Sequence, residues 1–161
     1  MPVKKTEKTE EVVKTPYNKK AKKPYTHAVG RRREAVARVR LHKTVVSWEG
    51  TEVKPGDVYV NQKKANEYFK DTTIDAAITD ILKSTNNTGK YGFTIKVAGG
   101  GIKGQLSAVL HGIANVLVEE NTTHRPVLKK KGLLTRDARV RQRRKVGMGG
   151  KSRRKKQSPK R

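Results

Sequence analysis

An α+β domain bearing a long basic tail is the fold class this sequence predicts, from two patterns and one imbalance of charge. The first pattern is a strand, three glycines and a helix across Tyr91 to Leu117. Phe93, Ile95 and Val97 alternate with Thr94 and Lys96, and the run stops at Gly99. Leu106, Val109, Leu110, Ile113 and Leu117 then recur at spacings of three and four, so a helix starts near Gly104. The second pattern is an earlier helix, with Ile74, Ala77, Ile78, Ile81 and Leu82 on one stripe. The imbalance is a formal net charge of +25 over 161 residues. It is concentrated at the end: residues 31–124 carry 14 basic and 10 acidic groups, residues 125–161 carry 17 and 1. One modest core with two tails follows, divided as 1–25, 26–124 and 125–161.

In chain order, residues 1–25 are Lys, Thr, Glu and Pro with few apolar side chains, too few to support a core. Glu7, Glu10 and Glu11 argue against an organellar transit peptide. Tyr17 and Tyr25 sit among lysines, where stacking on bases and a solvated tail are both open readings. From Gly30 the text GRRREAVARVRL sets Ala35, Ala37, Val39 and Leu41 on one face of a strand, with Arg38 and Arg40 on the other. Arg31, Arg32 and Arg33 extend this into a phosphate-binding edge. Val45 to Trp48 is a further strand closed by a turn at Glu49-Gly50-Thr51. Pro55-Gly56 turns the chain into a short strand, Val58-Tyr59-Val60, and Asn61 opens a polar link to Glu67-Tyr68-Phe69. Thr72 with Asp75 caps the first helix, and Asn86 to Gly89 stops it. Thr122 to Pro126 ends the globular part.

Gly99, Gly101 and Gly104 satisfy the pattern G-x-G-x-x-G, but the dinucleotide mechanism also needs a parallel strand after the helix and an acid that grips the ribose. Glu119 and Glu120 end the same helix, and the text beyond them is polar and then basic. Lys103 is followed by Gly104, so no P-loop is present either. No nucleotide cofactor is expected. Two readings of the glycines remain: a tight turn with close strand–helix packing, or helix-start amides that receive a phosphate. The carboxylates Asp71, Asp75 and Asp80 read as capping and solubility, and no catalytic constellation accompanies them. Without Cys, and with His27, His42, His111 and His124 scattered, no metal site is expected. No stretch of 18 apolar residues suggests a membrane span.

The final segment, RPVLKKKGLLTRDARVRQRRKVGMGGKSRRKKQSPKR, has Leu128, Leu133 and Leu134 to anchor its start and almost nothing to bury beyond Arg136. It should be extended or loosely helical and become ordered on RNA. If about 6 to 10 of its cations met phosphates, affinity would fall by roughly 10³ to 10⁵ between 50 and 200 mM salt.

Four stretches then carry a resemblance: GRRREAVARVRL at 30–41, GGGIKGQLSAVLHGIA at 99–114, RPVLKKKGLLTRD at 125–137 and the terminal Lys160-Arg161. Together, from about residue 26 onward, they resemble the family of protein nine of the small ribosomal subunit, bacterial type. The resemblance implies a four-stranded mixed sheet with two helices on one face, like the second domain of ribosomal protein five. It also implies a left-handed βαβ crossover, against the usual hand. By this likeness the protein is a non-enzymatic constituent of the small-subunit head, cytoplasmic, and in contact with ribosomal RNA and neighbouring head proteins. It would need no cofactor and no small-molecule substrate. The tail would reach the transfer RNA in the peptidyl site through Lys160 and Arg161. The candidate ribosomal-RNA residues are Arg31, Arg32, Arg33, Arg38, Arg40, Gly99, Gly100, Gly101, Lys103 and Gln105 in the domain. In the tail they are Lys129, Lys130, Lys131, Arg136, Arg139, Arg141, Arg143, Arg144, Lys145, Arg153 and Arg154. The sequence departs from the family at Leu110 and Asn115, where basic residues are common, and at Ala138, where Pro is usual. Further departures are Gly147, Gly149 and Gly150, and Gln157-Ser158-Pro159 before the end. The alternative is a free-standing nucleic-acid chaperone using the same tail.

Overall fold

The computed structural model describes residues 24–70, 73–143 and 146. Its centre is the apolar alternation read above. Ala35, Ala37, Val39 and Leu41 face inward along β2 (Ala35–His42), and Phe93, Ile95 and Val97 do so along β7 (Gly92–Ala98). The two strands pair antiparallel, Val39 opposite Ile95 and Leu41 opposite Phe93. Each fully buried large apolar side chain here contributes about 1.5–3 kcal/mol.

On one side of this pair lies β1 (Thr26–Arg32), antiparallel to β2. On the other lies β5 (Val58–Val60), parallel to β7, with the two-residue β6 (Lys63–Lys64) at the edge. The sheet is mixed, in the order β1-β2-β7-β5-β6. It has five strands rather than the four expected, because Thr26–Arg32 pairs as a strand and Lys63–Lys64 adds a short one. The expected strand at Val45 to Trp48 instead forms a separate hairpin, β3 (Val46–Trp48) with β4 (Thr51–Val53), turned at Glu49-Gly50. Trp48 is 8 % exposed and packs beside Arg38, Arg40, Thr94 and Lys96.

Helices cover the inner face. The polar link after Asn61 holds a short helix, α1 (Ala65–Phe69), ended by Lys70 in the left-handed region. The amphipathic α2 (Thr73–Ser84) buries Ile74, Ile78, Ile81 and Leu82, and α1–α2 form the crossover between the parallel strands β5 and β7. Of the predicted cap, Asp75 lies in the first turn and Thr72 lies outside the described residues. The long α3 (Ile102–Glu120) starts two residues before the expected Gly104, because Gly101 is still extended (φ −109°, ψ 165°) and already accepts from the Gly104 and Gln105 amides.

α3 lies against β1 and β2 at very short range. A Cβ on Gly30 would stand 1.9 Å from the Ala108 carbonyl oxygen, and one on Gly112 would stand 2.6 Å from a Val39 methyl. Only glycine permits that approach.

The packed part does not end at residue 124. Arg125–Lys130 forms α4 with Pro126 in its first turn, where proline suits the free helix start, and Leu128 is completely buried in the common core. Leu133 and Leu134 pack against the same core. No helix among the described residues is long and apolar enough to cross a membrane.

Candidate nucleic-acid interface

The five arginines of the first motif are divided by the β1–β2 hairpin. Its turn is Arg33-Glu34, with Arg33 at φ 53°. Gly30 faces α3, so by alternation Arg32 points to the helix side and Arg31 to the outer face. Arg38 and Arg40 share that outer face, and the register sets Lys96 opposite Arg38. Like charges directly opposed repel. Glu49 relieves them by pairing with Lys96 and accepting from Gln62 (2.5 Å), and these bonds hold its carboxyl below the usual range.

Arg40 lies over the Tyr25 ring at 5.0 Å. Beneath them His42 is 5 % exposed, with Nε2 against Thr94 Oγ1 at 2.9 Å. Burial pushes its imidazole below the ordinary value, and Arg40 adds to the effect. Lys96 carries no separate signal in the sequence, where its place in the alternation marks only the solvent side of the strand.

A second cationic region forms where the hairpin tip meets the start of α3. Gly99 and Gly100 both adopt left-handed φ (74° and 62°), and a Cβ on Gly99 would meet the Glu34 carbonyl at 2.5 Å. These two glycines are explained by the turn. Gly101 differs, since a Cβ there would meet nothing within 4 Å. Gln105, a candidate contact, braces the turn from within: its Nε2 donates to the Gly99 carbonyl and its Oε1 accepts from the Tyr68 hydroxyl, both at 3.0 Å. Asn61 completes the brace, accepting from the Val97 amide (2.9 Å) and donating to the Tyr68 oxygen (3.3 Å).

The polypeptide after α4 runs back along α3 to this same end. His111 receives the Arg31 amide on Nδ1 and donates from Nε2 to the Leu134 carbonyl, each at 3.4 Å. Asp137 then pairs with Arg32 at 2.9 Å and with Arg139 at 2.6 Å. The Arg139 hydrogen bonds, with Arg32 adding charge, hold the Asp137 carboxyl far below the usual carboxylate range.

The result is a cleft of about 610 Å³ walled by the hairpin tip (Arg32, Arg33, Glu34), the start of α3 (Gly100 to Gly104) and the returning chain at Val140 and Arg141. Arg32, Arg33, Lys103 and Arg141 line it, so it can hold the oxygens of a phosphate chain.

Lys129, Lys130 and Lys131 lie elsewhere, just past the far end of α3, and Lys131 pairs with Asp80 at 2.9 Å. Arg136, Arg139 and Arg143 are exposed along the returning chain. Arg144, Lys145, Arg153, Arg154, Lys160 and Arg161 fall outside the described residues, as does Tyr17. Among the described residues α3 is followed by a short 3-10 turn at Thr122–His124 and then by α4, not by a strand parallel with β7.

A small α+β domain with a cationic sheet face, a cationic cleft and a basic chain leaving beside that cleft has the chemistry of a polyanion-binding protein. Comparison with known proteins gives it a family. The model described as ribosomal protein S9/S16 matches residues 30–161, and the chain belongs to that family. Its relatives include the small ribosomal subunit protein uS9 of Maridesulfovibrio salexigens, 42% identical over 128 residues, spanning 80% of this chain and 91% of that protein. The uS9 protein of Anaeromyxobacter sp. strain K is 44% identical over 122 residues, spanning 76% of this chain and 86% of its own. That of Anaeromyxobacter dehalogenans gives the same figures.

Proposed function

We propose that this protein is a structural, non-catalytic constituent of the small ribosomal subunit. Its domain docks on ribosomal RNA in the subunit head beside neighbouring head proteins, and its basic terminus extends to the peptidyl-site transfer RNA. The observation that carries the reading is the convergence of Arg32, Arg33, Lys103 and Arg141 at one cleft, in a chain of this family. Phosphates would enter the cleft, while Arg38, Arg40 and Lys96 offer a second surface on the sheet. Lys160 and Arg161 are the transfer-RNA contact. The reading also carries the left-handed crossover through α1–α2 and a cytoplasmic address on the ribosome.

The mechanism is neutralisation of closely spaced phosphates, which stabilises folded RNA. Arginine adds bidentate geometry and lysine a point charge.

Sedimentation of a native lysate at moderately high salt tests the address. Protein that stays stoichiometric with the small subunit supports it, whereas protein in light fractions favours a free chaperone. Deleting Lys160 and Arg161 should weaken transfer-RNA binding at the peptidyl site and leave subunit incorporation largely intact. Unchanged transfer-RNA binding would sink the terminal contact.

A further inference from the structure

Asp137 is the single acid among the last 37 residues, and it sits where those residues leave the domain. Its carboxylate collects an unusual number of donors. Oδ1 takes the Arg139 backbone amide (2.9 Å), the Arg139 Nε (3.1 Å) and the Arg32 guanidinium (2.9 Å). Oδ2 takes the Arg139 Nε (3.0 Å) and Nη2 (2.6 Å). The same Arg32 Nη1 also reaches the Arg139 carbonyl at 3.4 Å, across 107 positions of sequence. One carboxylate thus ties the end of β1 to the root of the tail.

Electrostatics alone would drive these parts asunder. Arg32, Arg33 and Lys103, offset only by Glu34, lie on the domain side of the cleft, and Arg139, Arg141 and Arg143 follow on the tail side. Leu133 and Leu134 hold the chain only up to residue 134; beyond it, Asp137 is the acid that offsets the repulsion between the tail-side arginines and the domain. The cleft's third wall, Val140 and Arg141, stands just beyond the tie.

We propose that Asp137 is a positioning residue for polyanion binding. Acting through Arg32 and Arg139, and touching no RNA itself, it fixes the direction in which the basic tail leaves the domain and so holds the cleft's third wall in place. This rests on the function proposed above for its consequence, but not for the tie itself. The opposite signs of charge and geometry make it testable. Replacing Asp137 by Asn removes one negative charge and so raises the net charge by one, which by charge alone strengthens binding to any RNA. Loss of position weakens only binding that needs the tail and domain together.

The chain contains no cysteine, so paired spin labels on cysteines placed at the exposed Ser107 and Gln142 report the tail root against α3 in the full-length protein. Wild type should give a narrow distance distribution, and D137N a broad one. R32Q should broaden it equally, with no further change in the double variant. Against a uridine 20-mer, D137N should bind as tightly as wild type or more tightly. Against folded small-subunit ribosomal RNA at the same salt it should lose about two- to fivefold, the range expected of a partly exposed ion-pair cluster. A narrow distribution in D137N, a broad one in wild type, or equal loss on both RNAs would overturn the tie. Wild type that shows no preference for small-subunit RNA over the 20-mer would instead overturn the proposed function, and the distance measurement would still decide the tie.

Discussion

Replacing Gly30 by Ala tests the closest approach in the fold. The new Cβ would stand 1.9 Å from the Ala108 carbonyl oxygen, 2.5 Å from the Gly112 amide nitrogen and 2.9 Å from its Cα, all of them backbone atoms that no rotamer change can move. To reach even 3.0 Å from that oxygen, α3 and β1 must part by about 1 Å, and a gap of that size forfeits a quarter to a half of the dispersion attraction across it. Overpacking usually costs about 1–3 kcal/mol, and a rigid backbone obstacle belongs at or above the top of that range. We expect a loss of about 3 kcal/mol or more, equivalent to a fall in melting temperature of roughly 10–20 °C. The assay is urea unfolding followed by circular dichroism and by the fluorescence of Trp48, which packs on the opposite face of the sheet. Gly101→Ala is the control, because open space surrounds that position and its φ is ordinary; it should cost less than about 1 kcal/mol. Equal stability of the two variants would refute the close packing of α3 on β1.

Leu128→Ala should destabilise the domain by about 2–5 kcal/mol in the same urea titration, since Leu128 is fully buried although it lies beyond the expected domain end. A loss below about 1 kcal/mol would return α4 to the tail. Arg33→Gln and Lys103→Gln should each lower the slope of log K against log salt for RNA by roughly 0.7–0.9; unchanged slopes would remove the phosphate from the cleft. His42 gives a pH dependence. Its folded pKa lies below the unfolded value, so the unfolded chain takes up a proton first as pH falls. Its share of stability is whole above about pH 6.5 and shrinks below it toward the depressed folded value. Urea midpoints between pH 7.5 and 5 should therefore fall less steeply in His42→Gln than in wild type, and identical slopes would contradict the burial.

What could be read in advance depended on side-chain size. The faces of α2, α3 and β7 are built from Ile, Leu, Val and Phe, and their periods predict the elements closely. β1 was invisible for the converse reason. Its inward positions are Thr26, Ala28, Gly30 and Arg32, small or polar because α3 comes so near, and a face of small residues leaves no apolar period. α4 hid in the same way, with Leu128 its single buried residue amid lysines. The site was legible as composition but not as geometry. Charge counting located the cations, whereas only the fold shows that Arg31 and Arg32 face opposite ways, that Gln105 serves the glycine turn, and that Lys129 to Lys131 sit apart from the cleft.

The cleft has a consequence for biosynthesis. Its three walls come from residues near 33, near 102 and near 140, so almost the whole chain must be made before any phosphate can be met by all of them. Such long-range closure comes late in folding. Until then a nascent chain carries the positive charge of the domain without the geometry of the cleft. Under the function proposed above, a fragment ending before residue 140 lacks the third wall, so only a chain made through Arg141 carries the complete cleft.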